Sequence, residues 1–431
     1  MRNSDGIEMK HSAVQNKALL EPYRVLDLTD EKGLYCGALL GSLGADIVKV
    51  EKPGGDPSRN IGPFYHHIPD PERSLYWLSF NTNKRGITLN IGSRDGRNIF
   101  KELVKQADVV IESFDPGYMG KLGLGYADLE KMNSRIVMTS ISHFGQSGPY
   151  VDHKFKASDL TCWALGGMLF SSGSFGRGPV HISHVSQSYV LASIDAAWST
   201  VMALFWRGTS GEGQHIDVSI VESVLRASLF QYVDWKVRGI PYEKVDNNFT
   251  VPPVRAVSKW VWELRDGYLS FHLTGGQWGE HQVKPVIEWM EEEGMADEFL
   301  LNINWGSIVF EELPLTEIER IRKHFEDFFK TKCKEEVIKE ALMRGIPLDV
   351  VCNPEDVLKH PQLKDREYWQ QLEEPDLGVC LPYPAHFCKA SETESKIWRP
   401  SPRIGEHNEE IYQEIGLTKD DLVVLRQGGI I

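Results

Sequence analysis

Short apolar runs alternate with helical patterns over the first third of the chain, and this alternation constrains the fold more than any other feature. Val25–Thr29, Ile47–Glu51, Ile87–Ile91, Val109–Glu112 and Ile136–Ile141 read as buried strands. Between the first two, Leu34, Leu39, Leu40 and Leu43 recur near helical spacing, and Gly44 suits a C-cap. A helix over about 95–106 sets Ile99, Phe100, Leu103 and Val104 on one face, and a short one is expected near 127–132. Strands separated by helices pair in parallel, with the helices covering the sheet faces. Longer buried helices are expected over 157–170 and 187–206. A loop bearing Gly208, Gly211 and Gly213 follows, and then a strand at His215–Ser219.

After about residue 225 the pattern changes. Asn247–Pro253 is rich in breakers, and Trp260–Glu263 and Tyr268–Leu273 flank Arg265-Asp266-Gly267 as a hairpin. Amphipathic helices follow near 281–292, 315–330 and 335–344. The reading is an α/β protein. A Rossmann-like large domain with a parallel sheet begins over 20–225, and a smaller α+β domain occupies 240–345. Residues 346–431 return to the large domain and close it with a helix pair.

Composition narrows the function. A net charge of −14 makes a general polyanion binder, and hence a nucleic-acid partner, improbable on electrostatic grounds. The six cysteines are scattered, with no CxxC, which suits a reducing cytoplasm and no metal site. The first 19 residues lack the apolar core of a signal peptide, and no apolar run reads as membrane-spanning.

Gly37, Gly41, Gly44 and Glu51 invite a dinucleotide reading. That site needs GxGxxG in the first strand-to-helix turn. The turn here is Thr29-Asp30-Glu31-Lys32-Gly33, with one glycine and two acids, so neither NAD nor flavin is expected. Lys84 and Arg85 either add positive potential or cap a turn.

Six ordered stretches resemble one family. They are VLDLT, LGADIVKVEKPGGDPSR (43–59), FNTNKRGITLNI (80–91), ADVVIESFDPGYMGKLGL (107–124), RIVMTSISHFGQSGP (135–149) and RGTSGEGQHIDVS (207–219). Together they are similar to the class III CoA-transferases. The resemblance implies an interlocked dimer that binds coenzyme A or acyl-CoA as substrate and moves CoA between carboxylic acids. It also implies an aspartate nucleophile, because a carboxylate attacks a thioester at neutral pH without a base. Carried over by position, it assigns CoA contacts to Lys52, Leu89, Ser113, Phe114, Lys121 and Lys156.

The chain departs from the family where that nucleophile belongs. Counting back from Arg207 reaches Tyr189, with Gln187 and Ser188 adjacent and no Asp or Glu among His184–Tyr189. Asp195 lies about two helical turns on, and Asp159 falls in register with a non-nucleophilic acid. The Gly-rich lid of aspartyl-CoA-forming members is replaced by NNFTVPPVRA (247–256). These losses imply the non-catalytic subunit of a hetero-oligomer, completed by a homologous Asp-bearing partner. By analogy with heteromeric benzylsuccinate-type members, the donor is succinyl-CoA and the acceptor an aryl-substituted dicarboxylic acid of anaerobic aromatic degradation. The alternatives are a self-sufficient transferase or acyl-CoA racemase with a relocated acid, and an acyl-CoA-binding protein without turnover.

Overall fold

The computed structural model describes residues 18–173, 177–181, 183, 185–239, 248–249 and 258–431. The chain divides into two compact units. The first holds the described residues up to Gly166, with Ser183–Ala227 and Pro361–Ile431. The second holds Gly167–Ile182 and Ser228–His360.

The first unit is built on a six-stranded, wholly parallel sheet. Its strands are β1 (Arg24–Leu28), β2 (Asp46–Glu51), β3 (Lys84–Thr88), β4 (Val109–Glu112), β5 (Val137–Ser142) and β6 (His215–Ser219). They lie in the order β3-β2-β1-β4-β5-β6. Val25 therefore faces Ile47 on one side and Val109 on the other. The order reverses at β1, so the connections leaving β1 and β4 run to opposite sides of the sheet, and at such a switch point open parallel sheets hold ligands.

Apolar burial on both faces holds the sheet. Leu26, Val48, Ile87, Val110 and Met138 pack with Phe100, Leu103 and Val104 of the helix Arg94–Lys105. Ser93 caps that helix by accepting from the Gly96 N–H. The C-terminal helices Asn408–Glu414 and Lys419–Gln427 close the same core, and the Tyr412 hydroxyl donates to Thr88 O at 2.6 Å. The segment from 361 also forms an antiparallel hairpin, Trp369–Glu374 with Val379–Pro384, which the sequence pattern did not disclose.

The expected third strand sits three residues too late. Lys84 and Arg85 open β3 as buried residues. They neither cap a turn nor supply free positive potential. Lys84 Nζ donates to Asp27 at 2.8 Å, and Arg85 binds Asp46, Glu410 and Glu414. The helix Gln187–Ser210 also outruns its expected end, stopping at Gly211 in the left-handed region (φ 80°). By length and composition this helix could cross a membrane, contrary to the sequence reading. Half of its apolar stretch is buried within the fold.

In the second unit Val261–Leu264 and Gly267–Ser270 form the expected hairpin, and Asp349–Val350 adds a third strand. The helices Lys284–Glu292, Leu315–Phe329 and Lys334–Arg344 accompany it. Trp262, Phe271, Phe325 and Phe329 form its aromatic core. The lid segment 247–256 lies outside the described residues but for the backbone of 248–249.

Candidate functional site

A buried ionic cluster sets the exit of β1. Asp27, Lys49 and Lys84 are fully buried. Burial alone would raise the Asp27 carboxyl, but Lys84 and Lys49 outweigh it and hold Asp27 below its ordinary value. Asp27 Oδ1 accepts from the Thr29 N–H (2.9 Å) and hydroxyl (2.6 Å), and Lys49 Nζ donates to Thr29 O. These bonds fix where the loop after Thr29 starts.

That loop is then stitched to the end of β4. The Asp30 N–H donates to Ser113 Oγ at 2.8 Å, and the Ser113 hydroxyl donates back to Asp30 Oδ1 at 2.7 Å. Lys32 Nζ forms an ion pair with Asp30 Oδ2. Beside them Glu112 is buried, and burial pushes its carboxyl up to about 7. Hydrogen bonds from the Ser140 hydroxyl and the Phe114 N–H (2.8 Å) only partly offset this.

Two cavities open along the carboxyl ends of the strands. One, of about 360 Å³, is lined by Asp30, Lys52, Leu89, Ser113, Phe114 and Tyr118 among others. The other, of about 280 Å³, is lined by Lys32, Phe114, Lys121, His143, Tyr150 and Lys156 among others. Phe114 lines both. All six residues assigned by resemblance thus lie on this one crevice. Their states differ. Leu89 and Ser113 are buried, and the Ser113 hydroxyl is occupied by Asp30. Lys52, Lys121 and Lys156 are exposed, and Lys156 Nζ lies 3.3 Å from Asp115 at the surface. Glu51 also lines the first cavity, but Arg59 and the Asp56 N–H engage its carboxylate, so it is not free for a ribose.

The expected nucleophile position lies behind the second cavity. Tyr189 is buried in the first turn of the helix Gln187–Ser210, and its hydroxyl lies 3.2 Å from His143 Nε2. Burial, and then the Glu31 carboxylate, raise the Tyr189 phenol well above its ordinary range. Burial, and then Lys32, push the His143 imidazole down to about 4. The pair is therefore neutral at pH 7. Ser188 donates from its N–H (2.9 Å) and hydroxyl (2.6 Å) to Asp159 Oδ1, so Asp159 anchors the helix start. Gln187 Nε2 donates to Ser183 Oγ at 3.4 Å. Asp195 is engaged by Arg226 (3.1 Å) and the Trp198 indole N–H (3.1 Å). His184 lies outside the described residues.

Sequence reasoning missed His143 and the roles of Asp30 and Lys32. A usable signal was present: each follows the carboxyl end of a parallel strand beside the crevice. Among the described residues no group of His, Cys, Asp or Glu is arranged to hold a metal ion.

The family model described as "CoA-transferase family III" matches residues 20–408. The chain is 32% identical over 412 residues to the succinyl-CoA:(R)-benzylsuccinate CoA-transferase subunit BbsE of Thauera aromatica, covering 95% of this chain and 97% of that protein. It is 29% identical to a formyl-CoA:oxalate CoA-transferase of Streptomyces avermitilis, covering 96% and 99%. A crystal structure of a CAIB/BAIF family protein from Brucella suis superposes with a TM-score of 0.75 at 25% identity, covering 93% of this chain and all of that one.

Proposed function

The chain belongs to CoA-transferase family III, and from that premise we propose that it is the non-catalytic subunit of a heteromeric CoA-transferase. In this reading the crevice at the β1/β4 switch point holds the nucleotide of an acyl-CoA. Lys52, Leu89 and Phe114 bound its adenosine end, and Lys121 and Lys156 face its phosphates. The acyl end lies toward His143 and Tyr189. Ser113 acts through Asp30, since its hydroxyl is already engaged.

One observation carries the reading: the neutral Tyr189–His143 pair stands where the family's attacking carboxyl is expected. Neither group can form the acyl anhydride that a carboxylate forms with a thioester. A homologous partner bearing that aspartate would supply the step. Its carboxylate attacks the acyl carbonyl and expels the CoA thiolate, and the thiolate returns to the aspartyl carbonyl and releases the first acid. The second acid then reverses both steps. A partner also suits the surface of the helix Gln187–Ser210, where Ile194, Trp198, Met202, Phe205 and Trp206 are 44–82% exposed. Succinyl-CoA as donor and an aryl-substituted succinate as acceptor follow from the relative in Thauera aromatica. A cytoplasmic location follows from the same reading, since acyl-CoA is an intracellular substrate.

The test is co-expression with an Asp-bearing paralogue. The pair is expected to transfer CoA, and the chain alone is not. Hydroxylamine or borohydride is expected to tag a carboxyl of the partner only. Turnover by the chain alone would refute the reading.

A second reading has one observation in its favour. Glu31 is partly buried, burial followed by the neighbouring Asp30 raises its carboxyl above the ordinary value, and its charge acts on Tyr189. A relocated nucleophile there would make the chain self-sufficient, with the tag on Glu31.

A further inference from the structure

The four lysines of the second cavity are not equivalent. Lys121, Lys154 and Lys156 are exposed at its rim. Lys32 lies deeper, with 15% of its side chain exposed, and its charge is the second contributor to the depressed pKa of His143. Rim lysines suit phosphates, which stay partly hydrated. A partly buried ammonium on the inner side of the cavity is placed differently from these.

The Lys32 ammonium carries three donors, and Asp30 Oδ2 is the one acceptor it has among the described residues. Asp30 Oδ2 takes one of the three ammonium hydrogens, and its other oxygen is engaged elsewhere. Asp30 Oδ1 accepts from the Ser113 hydroxyl at 2.7 Å and from the Lys32 N–H at 3.2 Å. Asp30 therefore anchors the ammonium without capping it, and Ser113 anchors Asp30. The remaining donors belong to a group that lines the cavity. A partly buried cation with spare donors favours an anionic acceptor, and a carboxylate satisfies both its charge and its hydrogen bonds.

We propose that Lys32, held by Asp30 and Ser113, binds a second carboxylate on the acyl group, making this crevice selective for dicarboxylic acyl-CoA thioesters over monocarboxylic ones. This rests on the acyl-CoA reading of the crevice. Lys32 is a specificity residue: the thioester lies toward His143 and Tyr189, and the distal carboxylate toward Lys32.

The experiment is calorimetric titration of the full chain, with its partner subunit where the two copurify, using free CoA, butyryl-CoA and succinyl-CoA. The acyl groups of the two thioesters have the same chain length and differ in the terminal carboxylate. The unmodified chain is expected to bind succinyl-CoA at least about ten-fold more tightly than butyryl-CoA. Lys32→Met is expected to erase that preference and leave free CoA binding within about two-fold, which also shows that the variant is folded. Lys32→Arg is expected to keep it. Equal binding of the two thioesters by the unmodified chain, or a preference that survives in Lys32→Met, overturns the proposal while leaving the acyl-CoA reading intact. Failure of all three ligands to bind overturns both.

Discussion

His143 Nε2 and the Tyr189 hydroxyl lie 3.2 Å apart at the inner end of the crevice, each in a buried setting that keeps it uncharged. A neutral pair of this kind can position a ligand but cannot act as the carboxylate the family's chemistry requires.

Removing the Tyr189 hydroxyl therefore tests whether it takes part in chemistry. Tyr189→Phe is expected to leave the transfer rate of the assembled heteromer within about two-fold and to cost about 1 kcal/mol of stability from the lost hydrogen bond. Steady-state kinetics and thermal denaturation read the two effects separately.

Phe114 is the shared wall of the two cavities. Phe114→Ala removes the ring on which an adenine would stack, worth about 1–3 kcal/mol. CoA binding by calorimetry is expected to weaken roughly ten-fold or more, with secondary structure by circular dichroism unchanged.

The charge cluster beneath the crevice is structural. Lys84 Nζ donates to Asp27 (2.8 Å), Leu34 O (2.7 Å) and Asn81 Oδ1 (2.9 Å). Lys84→Met leaves Asp27 with Lys49 alone, 3.9 Å away. Breaking one side of a buried pair costs about 3–5 kcal/mol, and the double variant Asp27→Asn/Lys84→Met is expected to lose less than the sum of the two single changes. Urea denaturation measures it.

Glu112 gives a pH signature. Its carboxyl is raised from 4.5 to about 7 in the folded chain. A raised folded pKa contributes stability that is fully present below the unfolded value and lost as pH rises through the folded one. His143 acts oppositely: lowered from 6.5 to about 4, it contributes stability present above 6.5 and lost as pH falls toward 4. The two overlap, so the difference between the unmodified chain and Glu112→Gln isolates Glu112. From pH 4.5 to 7 the unmodified chain is expected to lose stability relative to Glu112→Gln, and a flat difference would contradict the assignment.

Much of the large sheet is legible in the sequence because β1, β2, β4 and β5 each hold a short cluster of Val, Ile, Leu or Met with helical periods between them, and β6 follows a glycine-bearing loop. β3 was misplaced because it opens with Lys84 and Arg85, and a charged pair reads as a strand boundary. Its partners Asp27, Asp46, Glu410 and Glu414 lie 39 to 329 residues away. No local window contains them.

The site divides the same way. The parallel α/β architecture, the membership of the family and the absence of an acid at residue 189 can be read from the amino acids alone, since each is a matter of residue type and spacing along one chain. It takes the folded chain to show that Ser113 commits its hydroxyl to Asp30, that His143 meets Tyr189, and that Lys32 is the inner lysine of four. Those facts depend on loops from different strands converging at the β1/β4 crevice. Burial there sets which charges survive and which donors stay free, and burial is a property of the packed fold.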